Sequence, residues 1–587
     1  MNYNLNKHTK KIKKKYGFVT SLRKLTEIIS SERRNLLIAF IAIALNVGLS
    51  LLGPYLLGYT IDTHVQTKNY EGVLIFAGIL LVIYIVAYIL NYVQIRMMGG
   101  IGQRLLFRLR NDVFEKLQEL PLDFFNQNKA GDLISRINND TDNLNEFFSH
   151  SLMQFIRNLI MMIGAGVFLL SINLTLGLAT LSPTIILLII TISLSPWIRS
   201  KNKATLKSIG NLSAAIQEGL ANFKVIVAFD RRDYFRKRLD KANRENYKKS
   251  VYAGIANSLL SPIYTFASNI GQLIVLSLGI WLIAQGRFSI GLLISFIAYV
   301  SNFYNPLRQL ARLWANFQLT LAAWERISQL LSLESNLPII ESKENLVSSS
   351  FIEFRNVSFA YPEGEEVLKN ISFELQKEKT YAFVGPTGGG KTTTASLISR
   401  LYDVTSGKIL LDGKDIRSYT PCERASKIGF ILQDPILFTG TVRENIIYGN
   451  SDCGALTNEQ LEKELEDAQL FSLLRSFSQG LETPIEMGGD SISLGQKQII
   501  AFMRAILRKP ELLILDEATA NIDTVTEQKL EQILTNLPKS TTKVIIAHRL
   551  NTIENADEIF FVNSQKIIAA GSFDEALNLL MQEQGVS

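Results

Sequence analysis

The chain has 587 residues, 47% hydrophobic and 20% charged, and several of its uncharged runs exceed the roughly 18 residues that suffice to suggest a membrane span. That excludes an ordinary soluble enzyme and a disordered chain. The net charge is +7, and residues 1–34 alone carry +8: Lys7, Lys10, Lys11, Lys13, Lys14, Lys15, Arg23, Lys24, Arg33 and Arg34 against Glu27 and Glu32. The remaining chain is nearly neutral, so no nucleic-acid partner is expected.

In chain order, the basic segment 1–34 reads as a positive-inside topology signal that also suits anionic lipid head groups. It is not a signal peptide, because the apolar stretch behind it is far longer than 7–15 residues and no small-residue cleavage site closes it. Uncharged runs then cover 35–61, 72–95, 158–198, 250–286 and 288–307. The run 158–198 would extend about 60 Å as one helix, twice the hydrocarbon thickness of about 30 Å. It must be two spans, with Ser171-Ile172-Asn173 as the turn. Six spans are predicted, at about 36–59, 73–95, 152–171, 174–195, 262–285 and 288–307, within a membrane domain at 35–334.

Segment 199–250 holds fourteen Lys/Arg and segment 96–151 seven, whereas the short loops on the other side hold only Lys68 and Arg287. Lys/Arg asymmetry therefore places both termini in the cytoplasm. Apolar residues three and four apart, as in 104–120, extend the spans into the cytosol as helices. Arg157 is either an intramembrane functional charge or a residue at the inner head groups. Asn46, Asn91, Gln94 and Asn158 either line a polar cavity or bond neighbouring helices. Pro54, Pro183, Pro262 and Pro306 free carbonyls that neighbours or water must satisfy.

Hydropathy falls after Leu333, and the Ser-rich stretch 335–350 reads as a linker. Strand-like runs follow at 351–354, 357–359, 371–375, 381–384, 428–432, 512–515 and 543–546, several separated by helical patterns. This predicts an α/β domain, 351–587, with a mainly parallel sheet. Cys422 and Cys453 are the only cysteines and offer neither a disulfide framework nor metal-ligand spacing.

The strongest motif follows the strand 381–384. Gly385-Pro386-Thr387-Gly388-Gly389-Gly390-Lys391-Thr392 fits G-x-x-x-x-G-K-[ST], and Thr393 comes next. Such glycines turn backbone N–H groups toward phosphate oxygens, and the following helix offers its positive end to the same anion. Lys391 would reach the β/γ-phosphates and Thr392 would bind Mg²⁺. The apolar run Leu512–Leu515 ends in Asp516 and Glu517. Asp516 would hold Mg²⁺, and Glu517 would polarise the attacking water as general base.

Ile492-Ser493-Leu494-Gly495-Gln496-Lys497-Gln498, between these motifs, resembles the signature sequence of ATP-binding cassette (ABC) proteins. Gln433 resembles the Q-loop glutamine, Tyr361 the adenine-stacking aromatic, 518–523 the D-loop and His548 the switch histidine. Six spans followed by one cassette resemble a half-transporter of the type I ABC exporters: an all-α transmembrane domain followed by an α/β P-loop NTPase cassette. Residues 124–136 and 217–229 are similar to the two coupling-helix regions. The resemblance implies ATP and Mg²⁺ as cofactors and a second half-transporter as partner. It also implies a small amphipathic drug, lipid or peptide as substrate, and the bacterial inner membrane as location. It assigns Glu517, His548, Lys391 and Gln433 to catalysis. Tyr361, 385–393, Gln433, Ser493, Gly495, Gln496 and Asp516 would bind nucleotide, and Thr392, Gln433 and Asp516 the metal.

One position departs from the family pattern. Leu494 stands where the signature has glycine, and a side chain there adds bulk where a glycine amide would approach phosphate. With Glu517 and His548 intact, this resembles the cassette of a heterodimer that has one competent and one degenerate site. A homodimeric exporter that tolerates leucine, and an ATP-gated channel or regulatory membrane protein, are the alternatives. With 34 residues ahead of the first span, no N-terminal peptidase domain is expected.

Overall fold

The computed structural model describes residues 3, 5, 32–335, 337–341, 350–362, 364–450, 456–486, 489, 491–516, 524–546, 556–563, 565–570 and 575, without the side chains of 311, 312, 314, 315 and 524–526. The chain forms two compact units. Residues 6–117 and 131–332 make one, and residues 1–5, 118–130 and 333–587 make the other.

Among the described residues, six helical stretches are long and apolar enough to cross a membrane: Arg33–Val65, Tyr70–Glu119, Ala130–Ile172, Leu174–Ala221, Arg232–Ala284 and Ile290–Leu310. The last belongs to a helix that runs to Leu331. Uncharged runs mark only the apolar part of each helix. Charged continuations such as 96–119 and 232–249 stay helical because they contain no proline and are rich in helix-forming Arg, Lys, Leu and Glu, which outweigh Gly99, Gly100 and Gly102 in the first of them. The third stretch includes two π-helical turns, Arg136–Asp140 and Phe147–Ser151. It ends at Ile172, and the next helix begins at Leu174, where the Asn173 side chain accepts from the Leu176 N–H.

Proline breaks the fourth stretch into Leu174–Leu181 and Pro183–Ala221. Pro183 has no N–H for the carbonyl of Ala179, and the Ser182 hydroxyl donates to that carbonyl instead, at 2.8 Å. The neighbouring Thr180 carbonyl accepts from Tyr304 Oη at 2.9 Å, across to the sixth helix. Near Pro54, the Leu51 and Pro54 carbonyls accept from Tyr299 and Ser295 of that same helix at 2.6 and 2.7 Å.

Two of the polar span residues act between helices. Asn46 donates to the Ala87 carbonyl at 2.6 Å, and Asn158 to Gln309 Oε1 at 2.9 Å. The first and sixth helices meet backbone to backbone. A Cβ on Gly291 would stand 2.0 Å from the Gly58 carbonyl oxygen, so neither glycine admits a side chain without separating them. Asp62 caps the sixth helix by accepting from the Gly291 N–H at 2.8 Å and from the Ser289 hydroxyl. At the other end, Arg136 is nearly fully buried and donates to Asp132 and to the Arg326 carbonyl at 3.1 and 2.7 Å. Arg326 donates to Asp132 in turn, so the buried Arg136 guanidinium has a carboxylate partner, as burial requires.

The second unit carries two main sheets. Strands β1 (Ile352–Ala360), β2 (Glu366–Leu375) and β4 (Ser406–Leu411) form an antiparallel sheet in the order β2-β1-β4, extended by Lys414–Asp415. Strands β3 (Thr380–Val384), β5 (Ile428–Ile431), β6 (Leu512–Asp516), β7 (Thr542–Ile546), β8 (Glu558–Asn563) and β9 (Lys566–Ala569) form the other, in the order β9-β8-β3-β7-β6-β5. It is parallel except for β9. The runs 351–354 and 357–359 thus belong to one strand. Asn356 has φ +49° there and shifts the register between Phe354 and Val357, which interrupts the alternation that marks a strand.

Candidate active site

β3 is fully buried from Tyr381 to Val384 and lies between β8 and β7. Its exit delivers the loop 385–390, which leads straight into the helix Lys391–Ile398. Gly385, Gly388 and Gly390 have φ of +146°, +83° and +112°, conformations that side chains with a Cβ rarely adopt. Packing adds a second constraint. A Cβ on Gly385 would lie 2.1 Å, and one on Gly389 2.6 Å, from the carbonyl oxygen of Val562 in β8. Thr387 and Gly388 form the exposed tip, and nothing lies within 4 Å of a Cβ built on Gly388. The loop is thus held from behind by β8 and open in front, as a phosphate cradle requires.

Lys391 is buried, and its ammonium donates to the Gly385 and Pro386 carbonyls at 2.8 and 3.0 Å. These bonds keep a cation folded over the loop. Thr392 Oγ1 donates to Asp516 Oδ1 at 3.1 Å. A hydroxyl and a buried carboxylate at the end of β6 therefore converge beside the loop, two hard oxygen donors that suit Mg²⁺. Gln433 is exposed two residues beyond β5, which pairs with β6 through Ile431 and Leu515. The described parts of β6 and β7 end side by side at Asp516 and Ile546. Glu517, the D-loop stretch 518–523 and His548 lie outside the described residues.

Tyr361 packs edge-on against Phe359 and Tyr402, with ring centroids 4.9 and 5.3 Å apart, and its hydroxyl bonds Thr393 Oγ1 at 3.0 Å. An aromatic ring is so fixed beside the helix that follows the loop. Burial, helped by the neighbouring Tyr361, pushes the Tyr402 phenol up. It stays protonated and accepts from Asn126 Nδ2 at 2.8 Å. Asn126 lies on the short helix Leu122–Gln127, where Phe124 is completely buried. The first region likened to a coupling helix is therefore joined to the cassette's unit beside Tyr361. The sequence carried no signal for Tyr402 or for Val562.

Ser493 begins the helix Leu494–Ile506 through a reciprocal capping box. Its Oγ accepts from the Gln496 N–H at 3.2 Å, and its own N–H donates to Gln496 Oε1 at 2.9 Å. Gln496 Nε2 also donates to the Ser476 carbonyl at 2.6 Å. The capping role uses a lone pair of the hydroxyl and leaves its proton to give. Gly495 is half-buried, while Leu494 occupies the first helical position, 39% exposed.

Residues 36–307 match the ABC transporter transmembrane region family, and residues 368–520 match the family described as ABC transporter. An uncharacterized ABC transporter ATP-binding protein of Bacillus subtilis, YfiC, is 34% identical over 565 residues, 95% of this chain and 92% of that protein. The chain is an ABC transporter. A fatty acid ABC transporter ATP-binding/permease protein of Mycobacterium bovis is 34% identical to it over 498 residues, 85% of this chain and 78% of that one. A multidrug resistance ABC transporter ATP-binding and permease protein of Lactococcus lactis is 30% identical over 499 residues, 85% and 84% of the two chains. This transporter is a multi-pass membrane protein with the exporter arrangement of spans and cassette in one chain. It binds ATP and couples its hydrolysis to transport.

Proposed function

We propose that this chain is one half of a heterodimeric exporter that moves amphipathic or hydrophobic molecules outward across the bacterial inner membrane. The reading rests first on Leu494. It stands exposed at the first turn of the signature helix, where a second cassette's phosphate would approach a backbone amide. A leucine there weakens the site that this signature would complete. The loop 385–392 and Asp516 would serve the competent site together with the partner's signature. Relatives named for fatty acid transport and multidrug resistance are consistent with an amphipathic substrate. The need for a second half is also supported by the region 217–229, whose Leu220, Phe223 and Phe229 are 71%, 58% and 75% exposed within 199–250, a stretch whose fourteen Lys/Arg keep it out of hydrocarbon.

In this scheme both termini and the cassette are cytoplasmic. The N–H groups of 387–390 and the Lys391 ammonium bind the β/γ-phosphates, and Tyr361 stacks on the adenine. Thr392 and Asp516 would hold Mg²⁺, with Gln433 as a further ligand, and the ion neutralises charge on the phosphates when bound. Glu517 takes the proton of the attacking water, and His548 positions the γ-phosphate. ATP drives closure only in so far as it binds the closed state more tightly than the open one.

The test is Mg-ATP hydrolysis by the chain purified alone in lipid, then co-purified with a neighbouring half-transporter, with Glu517→Gln as control in both. The reading expects low activity alone, and high activity in a one-to-one complex that Glu517→Gln abolishes. Robust, Glu517-dependent hydrolysis by the chain alone would establish a homodimer. Uphill, ATP-dependent dye movement in vesicles distinguishes a pump from an ATP-gated conductance.

A further inference from the structure

The helix Leu122–Gln127 has six residues, too few to be stable unaided. Its hold on the cassette's unit through Phe124 and Asn126 is reinforced from an unexpected place. Tyr3 and Leu5, far away in sequence, are 1% and 0% exposed within the same unit.

The contacts are reciprocal. The Tyr3 N–H donates to Gln127 Oε1 at 2.8 Å, and the Tyr3 carbonyl accepts from Asn128 Nδ2 at 3.0 Å. The Leu5 N–H donates to Asn128 Oδ1 at 3.2 Å. The Tyr3 ring meets Phe124 edge-on at 6.3 Å, and its hydroxyl donates to the Glu334 carbonyl at 2.9 Å. One tyrosine thus bridges the hairpin that follows the second long helix and the point where the chain enters the cassette from the sixth. Residue 3 lies outside the matched family region, which begins at 36.

We propose that Tyr3 and Leu5 form a strap that positions the hairpin 118–130, so that without it ATP hydrolysis continues but drives less transport. Tyr3 meets the hairpin 118–130 and Glu334. It acts through Phe124, Gln127 and Asn128, and so is a positioning residue. The inference rests on the export reading above, because a coupling role requires something to be coupled.

The experiment uses the full-length transporter as purified with its partner. Tyr3→Ala removes the ring and the hydroxyl, and Tyr3→Phe removes only the bond to Glu334. Hydrogen exchange is followed in the peptide covering 118–130, with ATP hydrolysis and ATP-driven uptake of an amphipathic dye into inverted vesicles measured in parallel. For Tyr3→Ala the hairpin amides should exchange about tenfold faster, as a locally loosened segment does. Hydrolysis should stay within about twofold, and dye moved per ATP should fall about fivefold or more. Tyr3→Phe should restore most of the wild-type ratio.

Unchanged exchange in Tyr3→Ala would overturn the strap. Faster exchange with unchanged dye per ATP would overturn its role in coupling, and so would a parallel loss of hydrolysis and uptake, which marks a merely structural contact. If Tyr3→Ala does not fold, Gln127→Ala, which deletes the acceptor for the Tyr3 N–H, takes its place with the same criteria. Wild-type hydrolysis with no dye uptake would remove the export reading and the coupling role together, while the exchange comparison would still decide whether the strap holds the hairpin.

Discussion

Two glycines of the phosphate loop should respond very differently to the same added methyl group. At Gly385 the backbone has φ +146°, and a Cβ would stand 2.1 Å from the Val562 carbonyl oxygen. That oxygen cannot yield easily, because β8 is paired on both sides, through Phe561 to Val384 and through Val562 to Ile567. A side chain in so sparse a backbone region costs about 1–3 kcal/mol, and forced overpacking adds about 1–3 kcal/mol. Gly385→Ala is therefore expected to lose about 2–6 kcal/mol, a large share of the roughly 5–15 kcal/mol that holds a domain together. At Gly388 φ is +83° and nothing lies within 4 Å, so only the left-handed penalty of about 1–2 kcal/mol remains. At about 2–4 °C per kcal/mol for a domain of this size, the cassette transition should fall by about 4 °C or more in Gly385→Ala and by less in Gly388→Ala. Differential scanning calorimetry of the full-length protein in detergent reads both. If Gly385→Ala unfolds at or above the temperature of Gly388→Ala, the argument that β8 braces the loop is wrong.

Leu494→Gly should raise ATP turnover of the purified complex while changing stability by less than about 1 kcal/mol, since the Ser493 capping box stays intact and glycine at a helix start costs less than in its interior; hydrolysis assays and thermal melts check the two halves. Asn158→Leu breaks the bond to Gln309 between the third and sixth helices and should cost about 0.5–2 kcal/mol, read as a lowered melting temperature. The hydrogen bond from Arg104 holds the Glu32 carboxyl at about 2 against an ordinary 4.5, with burial opposing and Asn35 assisting. A depressed carboxyl stabilises the fold above its unfolded pKa and loses that contribution as pH falls. The difference in melting temperature between wild type and Glu32→Gln should thus be full at neutral pH and close between pH 4.5 and about 2.

Much of this was legible in the residues. The six apolar stretches stand out because hydrocarbon demands long uncharged runs, and the motif around Lys391 because only glycines fit its backbone. The antiparallel sheet was harder to read. β4 begins with the polar Ser406-Gly407-Lys408, and β1 was split in two by the bulge at Asn356. β8 and β9 went unread, and with them the Val562 carbonyl that dictates glycine at 385 and 389. Contacts such as Tyr3 with Gln127, 124 residues apart, leave no local pattern, because neither residue type is unusual where it stands. Leu494 was visible only against a family pattern. Its exposure, and the capping box that makes its helix independent of it, required coordinates.

The division of the chain also bears on how the cassette should be handled in the laboratory. A fragment starting at Leu333 would carry every nucleotide motif, yet it would lack Tyr3, Leu5 and Phe124, all buried in that unit. The apolar surface they cover would face water, and such patches promote self-association. The smallest self-contained piece is assembled from three separate stretches of the polypeptide. A soluble expression version therefore needs 118–130 and the first five residues grafted back, whereas simple truncation invites aggregation.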